Sequence, residues 1–215
     1  MTMQTDKLIS MLATNAEPVA PGAVRRRLAV VLVAGGAGAF VLMLAWLGIR
    51  PDLAEAAREP MFWVKLALPA ALLVTALVAA ARLARPGVRT GHAAEALLVP
   101  VGAIWALAAA SLASVPGEQR MALLLGDTWA SCPFNIAALS VPAFLAAFWA
   151  MRGLAPTRPA AAGAFSGLLA GAVGATAYCL HCPEMAPPFL GTWYLLGMAI
   201  PAAAGAIAGP RLLRW

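Results

Sequence analysis

Residues 28–49 read LAVVLVAGGAGAFVLMLAWLGI, an uncharged stretch with Arg25, Arg26 and Arg27 directly before it and Arg50 directly after it. A helix needs about 20 mainly apolar residues to cross a bilayer, so this stretch predicts a transmembrane helix. The whole chain has the same character, because 62% of its 215 residues are hydrophobic and 11% are charged. A soluble domain has roughly a quarter charged residues. The sequence therefore predicts an integral membrane protein embedded in a lipid bilayer.

Six apolar stretches of this kind predict an all-α fold, a polytopic membrane bundle of six transmembrane helices. The predicted spans are 28–49, 61–81, 94–114, 134–151, 160–179 and 189–209. The fourth span is the weakest, because Asn135 and Pro142 interrupt it. Lys65 lies in the second span, one turn from its end, and is expected to extend to the membrane interface. No signal peptide is expected, because charged residues and Pro18 precede any apolar run.

The basic residues predict which way the bundle is oriented, since cytoplasmic loops are enriched in Lys and Arg. With the N-terminus in the cytoplasm, eleven of the 15 basic residues lie on that side, and most acidic residues lie on the other. Both ends are therefore predicted to be cytoplasmic, with residues 1–27 as a tail and 28–215 as the transmembrane domain. Residues 25–27 are expected to anchor the tail to anionic lipid. This distribution explains the net charge of +6 without direct nucleic-acid binding.

Glycines spaced four residues apart mark the last two predicted spans. They are Gly163, Gly167 and Gly171 in the fifth span and Gly205 and Gly209 in the sixth. Small residues at this spacing let another helix approach closely, which predicts tight packing within the bundle or, alternatively, a homodimer face. No Asp, Glu, Arg or His lies near the centre of a predicted span. This argues against ion-coupled transport, which needs ionisable groups inside the membrane.

The N-terminal tail contains a short amphipathic pattern. Thr5 can cap a helix in which Leu8, Ile9, Met11 and Leu12 share one face. A helix of about ten residues is marginal in water by itself. It is therefore expected either to lie on the membrane surface or to dock into a groove on a partner protein.

The three cysteines fall at the outer ends of two predicted spans. Cys132 begins the fourth span, and Cys179 and Cys182 follow the fifth, close to His181 and Glu184. This face is oxidising in a Gram-negative bacterium, so a structural disulfide is one interpretation. A redox-active pair near solvent, or a site for a soft or borderline metal ion, is another. Three thiolates would need a further ligand to complete a tetrahedral site.

Enzymatic activity is not expected. Three cysteines cannot form the two pairs that a quinone-linked thiol oxidoreductase uses. Hydrolytic chemistry also lacks its residues, because His92 and His181 are predicted to lie on opposite faces of the membrane. No resident cofactor is expected.

Short motifs follow one another along nearly the whole chain. They are Thr5-Asp6 with Leu8-Ile9, Pro18-Val19, Trp129 with Cys132-Pro133 and Ile136, Leu139-Ser140 with Pro142, Arg152-Gly153-Leu154-Ala155-Pro156-Thr157 with Pro159, Ala162-Gly163, His181-Cys182-Pro183-Glu184, Phe189, Trp193-Tyr194 with Gly197, and Gly209-Pro210-Arg211-Leu212-Leu213-Arg214-Trp215. In this ordered set the chain resembles the NrsF family, inner-membrane anti-sigma factors of proteobacteria named as negative regulators of sigma-F.

The resemblance implies a six-helix protein of the bacterial inner membrane that sequesters an extracytoplasmic-function sigma factor and releases it under stress. The tail is then the partner-binding segment, through Thr5, Asp6, Leu8, Ile9, Leu12, Pro18 and Val19. The resemblance also implies that Cys132 and Cys182 act in sensing, with an oxidant or a metal ion as the signal. Cys179 is an addition to the family pattern, so the pairing of Cys182 with Cys132 or with Cys179 stays open. The alternative function is a membrane thiol oxidoreductase or metal-handling protein whose tail is an anchor.

Overall fold

The computed structural model describes residues 2–14 and 22–214, and the regular elements in these residues are helices. They are α1 (Thr2–Thr14), α2 (Ala23–Trp46), α3 (Leu53–Ala56), α4 (Pro60–Leu83), two 3₁₀ turns (Gly91–Ala93 and Glu95–Leu97), α5 (Leu98–Ala113), α6 (Gly117–Leu125), α7 (Cys132–Leu139), α8 (Val141–Arg152), α9 (Pro159–Tyr178), α10 (Pro187–Phe189), a π-helical turn (Leu190–Tyr194) and α11 (Leu195–Leu212). The predicted all-α class is confirmed.

Five helical segments of the described residues are long and apolar enough to cross a membrane. They are Ala23–Trp46, Pro60–Leu83, Gly91–Ala113, Pro159–Tyr178 and Pro187–Leu212. The bent pair α7 and α8 brings the number to six if the pair is one span. Each of these segments overlaps one of the stretches predicted from the sequence.

The break in the fourth apolar stretch lies at Ser140, where α7 and α8 meet at an angle of 43°. Pro142 lacks a backbone N–H, and its ring crowds the carbonyl four residues earlier, so an uninterrupted helix is disfavoured there. The Ser140 hydroxyl donates to the Ala137 carbonyl oxygen at 2.6 Å, which gives the side chain a partner inside the bundle. The predicted interruption is therefore a bend between two helices.

Helix α9 lies at the centre of the bundle and packs against α2, α4, α7, α8 and α11. Its glycines allow the closest of these contacts. A Cβ atom at Gly163 would overlap the carbonyl oxygen of Gly205, and one at Gly167 would overlap that of Pro201, both on α11. The interpretation of the glycine pattern as tight packing within the bundle is confirmed.

The loops gather at two ends of the bundle, which we name by their residues. The thiol end holds the connections 47–59 and 179–186, joined by a hydrogen bond from the Arg50 amide to the Leu180 carbonyl at 3.1 Å. The arginine end holds the connections 84–97 and 153–158, joined by a hydrogen bond from the Gly87 amide to the Thr157 hydroxyl at 3.3 Å. Helices α2, α4 and α9 extend from one end to the other.

Helix α1 begins at Thr2, so the expectation that Thr5 is its N-cap is wrong. Thr5 lies within the first turn, where the helical backbone continues on both sides of it. At the other end, the Thr14 hydroxyl donates to the Ser10 carbonyl at 2.8 Å and so satisfies one carbonyl of the last turn. Pro18 and Val19 lie outside the described residues.

Candidate functional site

The three cysteines come together at the thiol end of the bundle. Cys132 is the first residue of α7, Cys179 directly follows α9, and Cys182 lies in the connection to α10. All three are free thiols, and all three are fully buried. The expectation that a cysteine pair here would lie close to solvent is therefore wrong, because α4, α7, α9 and the π-helical turn enclose the sulfur atoms.

Cys132 and Cys182 lie side by side in the buried cluster, near enough for a hydrogen bond between their thiols. This hydrogen bond, acting against burial and with the nearby Lys65 ammonium, lowers the pKa of Cys182 to about 5. A thiolate at this position is the nucleophilic form of cysteine. The arrangement is a thiolate next to a thiol, which are the two partners of a disulfide.

Cys179 has a different environment, although it stands three residues from Cys182 in a Cys-x-x-Cys spacing. Its sulfur donates to the Lys65 carbonyl oxygen at 3.7 Å. Burial raises the pKa of the Cys179 thiol to about 12, so it stays protonated. Of the two pairings that the sequence left open, the one whose thiols interact directly in the structure is Cys132 with Cys182.

Lys65 is fully buried, so the expectation that it extends to the membrane interface is wrong. Its ammonium group donates to the carbonyl oxygens of Cys182 at 2.5 Å and Glu184 at 2.9 Å. It also lies 5.5 Å from the centre of the Tyr194 ring, a cation–π distance. The 182–184 segment folds over the start of α4. Its carbonyl oxygens accept the hydrogen bonds of the Lys65 ammonium that water would otherwise accept.

The two tyrosines of the chain both belong to this site. The Tyr178 hydroxyl accepts a hydrogen bond from the Asn135 side chain at 3.4 Å. Tyr194 belongs to the π-helical turn, and its hydroxyl is buried beside Cys179 and Cys182 without a hydrogen bond of ordinary geometry to the described residues. π-Helical turns are frequent at functional sites because they redirect one side chain. Sequence reasoning did not assign either tyrosine to the site. The available signal was that both tyrosines of the chain lie close in sequence to the 179–186 connection.

His181 and Glu184 point away from the sulfur atoms. The His181 ring nitrogen Nδ1 pairs with the Gly48 carbonyl at 3.0 Å. The Glu184 carboxylate accepts hydrogen bonds from the amides of Asp127 at 2.8 Å and Thr128 at 3.3 Å. Among residues 2–14 and 22–214, no group of three or more His, Cys, Asp or Glu side chains is arranged to hold a metal ion.

Arg50 ties this segment to the end of α2. Its guanidinium forms two hydrogen bonds of 2.7 Å with the Asp52 carboxylate and donates to the Cys182 carbonyl at 3.3 Å. The Cys182 carbonyl thus accepts from both Arg50 and Lys65. Two cations, Lys65 on α4 and Arg50 in the connection after α2, hold the segment that carries the thiolate.

The predicted partner-binding residues lie apart from the thiol site, on α1. Thr5 and Asp6 are exposed, and Leu8, Ile9 and Leu12 are exposed by 54%, 58% and 66%. Exposed apolar side chains grouped on one helix are typical of a binding surface.

Comparison with known proteins assigns the chain to a family. The family model described as NrsF, negative regulator of sigma F, matches residues 12–215. The chain belongs to the NrsF family. It is 50% identical over 213 residues to a protein of Azospira oryzae named "Probable anti-sigma-F factor NrsF", covering 99% of this chain and 100% of that one. It is 42% identical over 221 residues to the anti-sigma-F factor NrsF of Caulobacter vibrioides, again covering 99% and 100%. No solved structure matches the chain.

Membership in the NrsF family indicates a regulatory role rather than a catalytic one, and a sigma factor as the partner. The resemblance inferred from the ordered motifs is thereby confirmed.

Proposed function

We propose that this chain is an inner-membrane anti-sigma factor that holds a sigma-F-type, extracytoplasmic-function sigma factor through α1 and releases it when Cys132 and Cys182 are oxidised. The observation that carries the proposal is the 50% identity over 99% of the chain to a protein named as a probable anti-sigma-F factor. The exposed apolar residues of α1 and the buried dithiol supply candidate output and input sites.

The proposed topology has six spans, with α7 and α8 together as the fourth and both chain ends in the cytoplasm. It is supported by the apolar helices and by the distribution of basic residues, of which the arginine end holds most. The arginine end is then cytoplasmic and the thiol end periplasmic. The tail and the cysteines lie on opposite sides of the membrane in this topology.

Helix α1 is the proposed contact with the sigma factor. Leu8, Ile9 and Leu12 share one face and are more than half exposed, as expected for an amphipathic helix that docks into an apolar groove. The Asp6 carboxylate would fix the register of the helix in that groove. Burying each leucine contributes about 1.5–3 kcal/mol, so two leucines can decide whether the complex forms.

The proposed signal is the oxidation of the dithiol. The Cys182 thiolate attacks the terminal oxygen of a hydroperoxide, and the O–O bond breaks. The attacked oxygen stays on Cys182 as a sulfenic acid, and the other oxygen takes a proton and leaves as an alcohol or water. The Cys132 sulfur then attacks the Cys182 sulfur, forming the disulfide and releasing water. Two electrons pass to the oxidant overall. The thiolate and thiol are already in contact, so this step needs little movement of the backbone.

The signal has a continuous route to the tail. Cys132 begins α7, and the joint at Ser140 connects α7 to α8. Near the end of α8, the Ala150 carbonyl accepts a hydrogen bond of 3.1 Å from the Arg27 guanidinium. Arg27 lies on α2 and is the last residue of the tail. A change in the direction of α7 would therefore reach the start of α2 through one joint and one hydrogen bond.

The sigma-factor contact is tested by replacing Leu8 and Leu12 together by Asp. Co-purification with the sigma factor should be lost, because ~2–4 kcal/mol of apolar burial is removed and charge is added. The sigma-dependent genes should then be expressed without stress. The matched control is Lys7→Asp with Ser10→Asp on the opposite face of α1, which should keep binding. Equal binding by both double variants would move the contact to the basic loops of the arginine end.

The sensing step is tested with single serine variants. Cys132→Ser and Cys182→Ser should each fix the output in one state, whereas Cys179→Ser should keep the response to peroxide. Loss of the response in Cys179→Ser would favour the Cys-x-x-Cys pair. If Cys132→Ser and Cys182→Ser lose the response to peroxide but respond normally to a soft metal ion, the oxidant and the metal ion act at separate sites. Normal responses of both variants to both stimuli would make the cysteines structural.

A further inference from the structure

A cleft separates α2 from α4 at the arginine end of the bundle. The two helices contact each other sparsely, and both pack instead against α8 or α9. The cleft has a volume of about 870 Å³. Its walls are formed mainly by apolar side chains of the two helices, with Leu28 and Ala84 buried at its base. This volume falls within the range of roughly 300–1,000 Å³ that is usual for small-molecule sites.

A second cavity of about 270 Å³ continues the cleft between the same helices. Leu32 lines both cavities, so they adjoin. The second cavity is backed by α9 through Val173 and Ala177 and ends at Leu180, beside the thiol end. Together they form one apolar groove, which we name the α2/α4 groove. It extends from the arginine end toward the thiol end.

Positive charge is concentrated at the mouth of the groove. Arg25 and Arg85 both line it, and both are exposed. Neither forms an ion pair with another described residue. Gly22, which also lines the mouth, precedes α2 without a capping side chain, so the partial positive charge of the helix N-terminus faces the same space. The groove is thus apolar along its length and cationic at one end.

We propose that the α2/α4 groove binds an anionic phospholipid, with the headgroup phosphate between Arg25 and Arg85 and an acyl chain along the groove toward Leu180. A phospholipid has the same two-part chemistry as the groove, an anionic group attached to a long apolar chain. In a bilayer an open apolar groove must be filled by acyl chains, and the two arginines select among the headgroups. The inference requires membrane insertion and is independent of the sigma-factor assignment.

Bound lipid would influence the tail, because Gly22, Ala23 and Arg25 at the mouth belong to the last residues of the tail. A headgroup held there would fix the direction in which the chain leaves α2. The same lipid would lie against α9, which ends directly before Cys179. The proposed lipid therefore contacts α2, which leads to the tail, and α9, which leads to the thiol end.

The experiment is native mass spectrometry of the purified full chain in detergent with added phosphatidylglycerol or phosphatidylcholine. The chain should retain phosphatidylglycerol in preference. Arg25→Gln with Arg85→Gln should weaken that binding about fivefold per arginine and roughly 30-fold together. The matched control, Arg89→Gln with Arg158→Gln, removes two arginines of the same end that do not line the groove. It should bind like the unmodified chain.

Ala81→Leu, which fills part of the groove and keeps both arginines, should weaken the binding of both lipids. Elution volume and melting temperature show that each variant is folded. Equal retention of the two lipids, or equal losses in the two arginine pairs, would overturn the proposal. The proposal would also be overturned if phosphatidylglycerol bound only after deletion of residues 2–14, because α1 would then be the natural occupant of the α2/α4 groove. A chain that fails to fractionate with membranes would instead contradict the proposed topology.

Discussion

At the scale of single residues, Lys65 is the side chain whose surroundings need the most explanation. A buried ammonium group is unfavourable unless its protons have acceptors, and here two carbonyls and an aromatic ring supply them. Those carbonyls belong to Cys182 and Glu184, so the charge also holds the segment that carries the reactive sulfur. Lys65 is a positioning residue in this arrangement, because it contacts the backbone of Cys182 rather than the oxidant.

Replacing Lys65 by Met should slow the formation of the Cys132–Cys182 disulfide. The variant keeps the length of the side chain but loses a hydrogen bond from a charged donor, worth about 1.5 kcal/mol or more, so the rate should fall roughly tenfold. Intact-mass analysis after timed exposure to peroxide measures the rate. Cys179→Ser serves as the control and should oxidise at the normal rate. An unchanged rate in Lys65→Met would show that the 182–184 segment keeps its position without the charge.

Sequence reasoning could find the cysteines but not the position of Lys65. Cys132 and Cys182 are recognisable because the chain has three cysteines, and because both lie at the outer ends of predicted spans. Lys65 lies one turn inside a span, and the general tendency of lysine there is to extend toward water. Which carbonyls fold over that position depends on the path of the 182–184 segment. Local sequence does not encode that long-range contact.

At the scale of helices, the apolar stretches were predictable because each is long and nearly free of charge. The joint at Ser140 was also visible, since Pro142 removes a helix hydrogen bond. The π-helical turn at 190–194 was not, because it inserts one residue into a helix without a characteristic composition. That turn places Tyr194 beside the sulfur atoms. The start of α1 was misplaced by four residues, since Thr5 is compatible with both a cap and a first-turn position.

The contact between α9 and α11 predicts a sharp difference between two glycine substitutions. Gly167→Ala should lower stability by about 1–3 kcal/mol, because the added Cβ would overlap the Pro201 carbonyl and force the helices apart. Gly102→Ala in α5 should be neutral or stabilising by up to about 1 kcal/mol, because no atom lies within 4 Å of its Cβ position and alanine favours helix. Melting temperatures of the purified variants in detergent provide the measurement. Similar values for the two would contradict the close packing of α9.

At the scale of the whole molecule, the proposed topology makes a direct prediction for alkaline phosphatase fusions. Fusions after residues 55, 122 and 186 should be active, and fusions after 20, 87, 155 and 215 should be inactive. The reason is that the enzyme folds only in the oxidising periplasm, where its disulfides form. A matched set of fluorescent-protein fusions should give the opposite pattern. Phosphatase activity after residue 87 would contradict the six-span arrangement and would place the arginine end outside the cell.

The remaining whole-molecule property is the coupling between the thiol end and the tail. In the proposed route, α8 reaches α2 through the Arg27 guanidinium, which bonds the Ala150 carbonyl and lies 5.8 Å from the Trp149 ring centre. Because Arg27 is the last residue of the tail, it converts a displacement of α8 into a displacement of the tail. Arg27 takes no part in the thiol chemistry, so its loss should separate sensing from response.

Arg27→Gln should therefore form the Cys132–Cys182 disulfide at the normal rate but release the sigma factor poorly on oxidation. Coupling between two sites usually amounts to a factor of about 5–150, so the difference in sigma-factor affinity between the reduced and oxidised protein should shrink by about tenfold. Binding of the sigma factor to each state in nanodiscs measures this directly. Arg26→Gln, an exposed neighbour, is the control and should switch normally. If Arg27→Gln switches as well as the control, the signal crosses the bundle through the α9–α11 contact instead of α8, because that contact also joins the two ends.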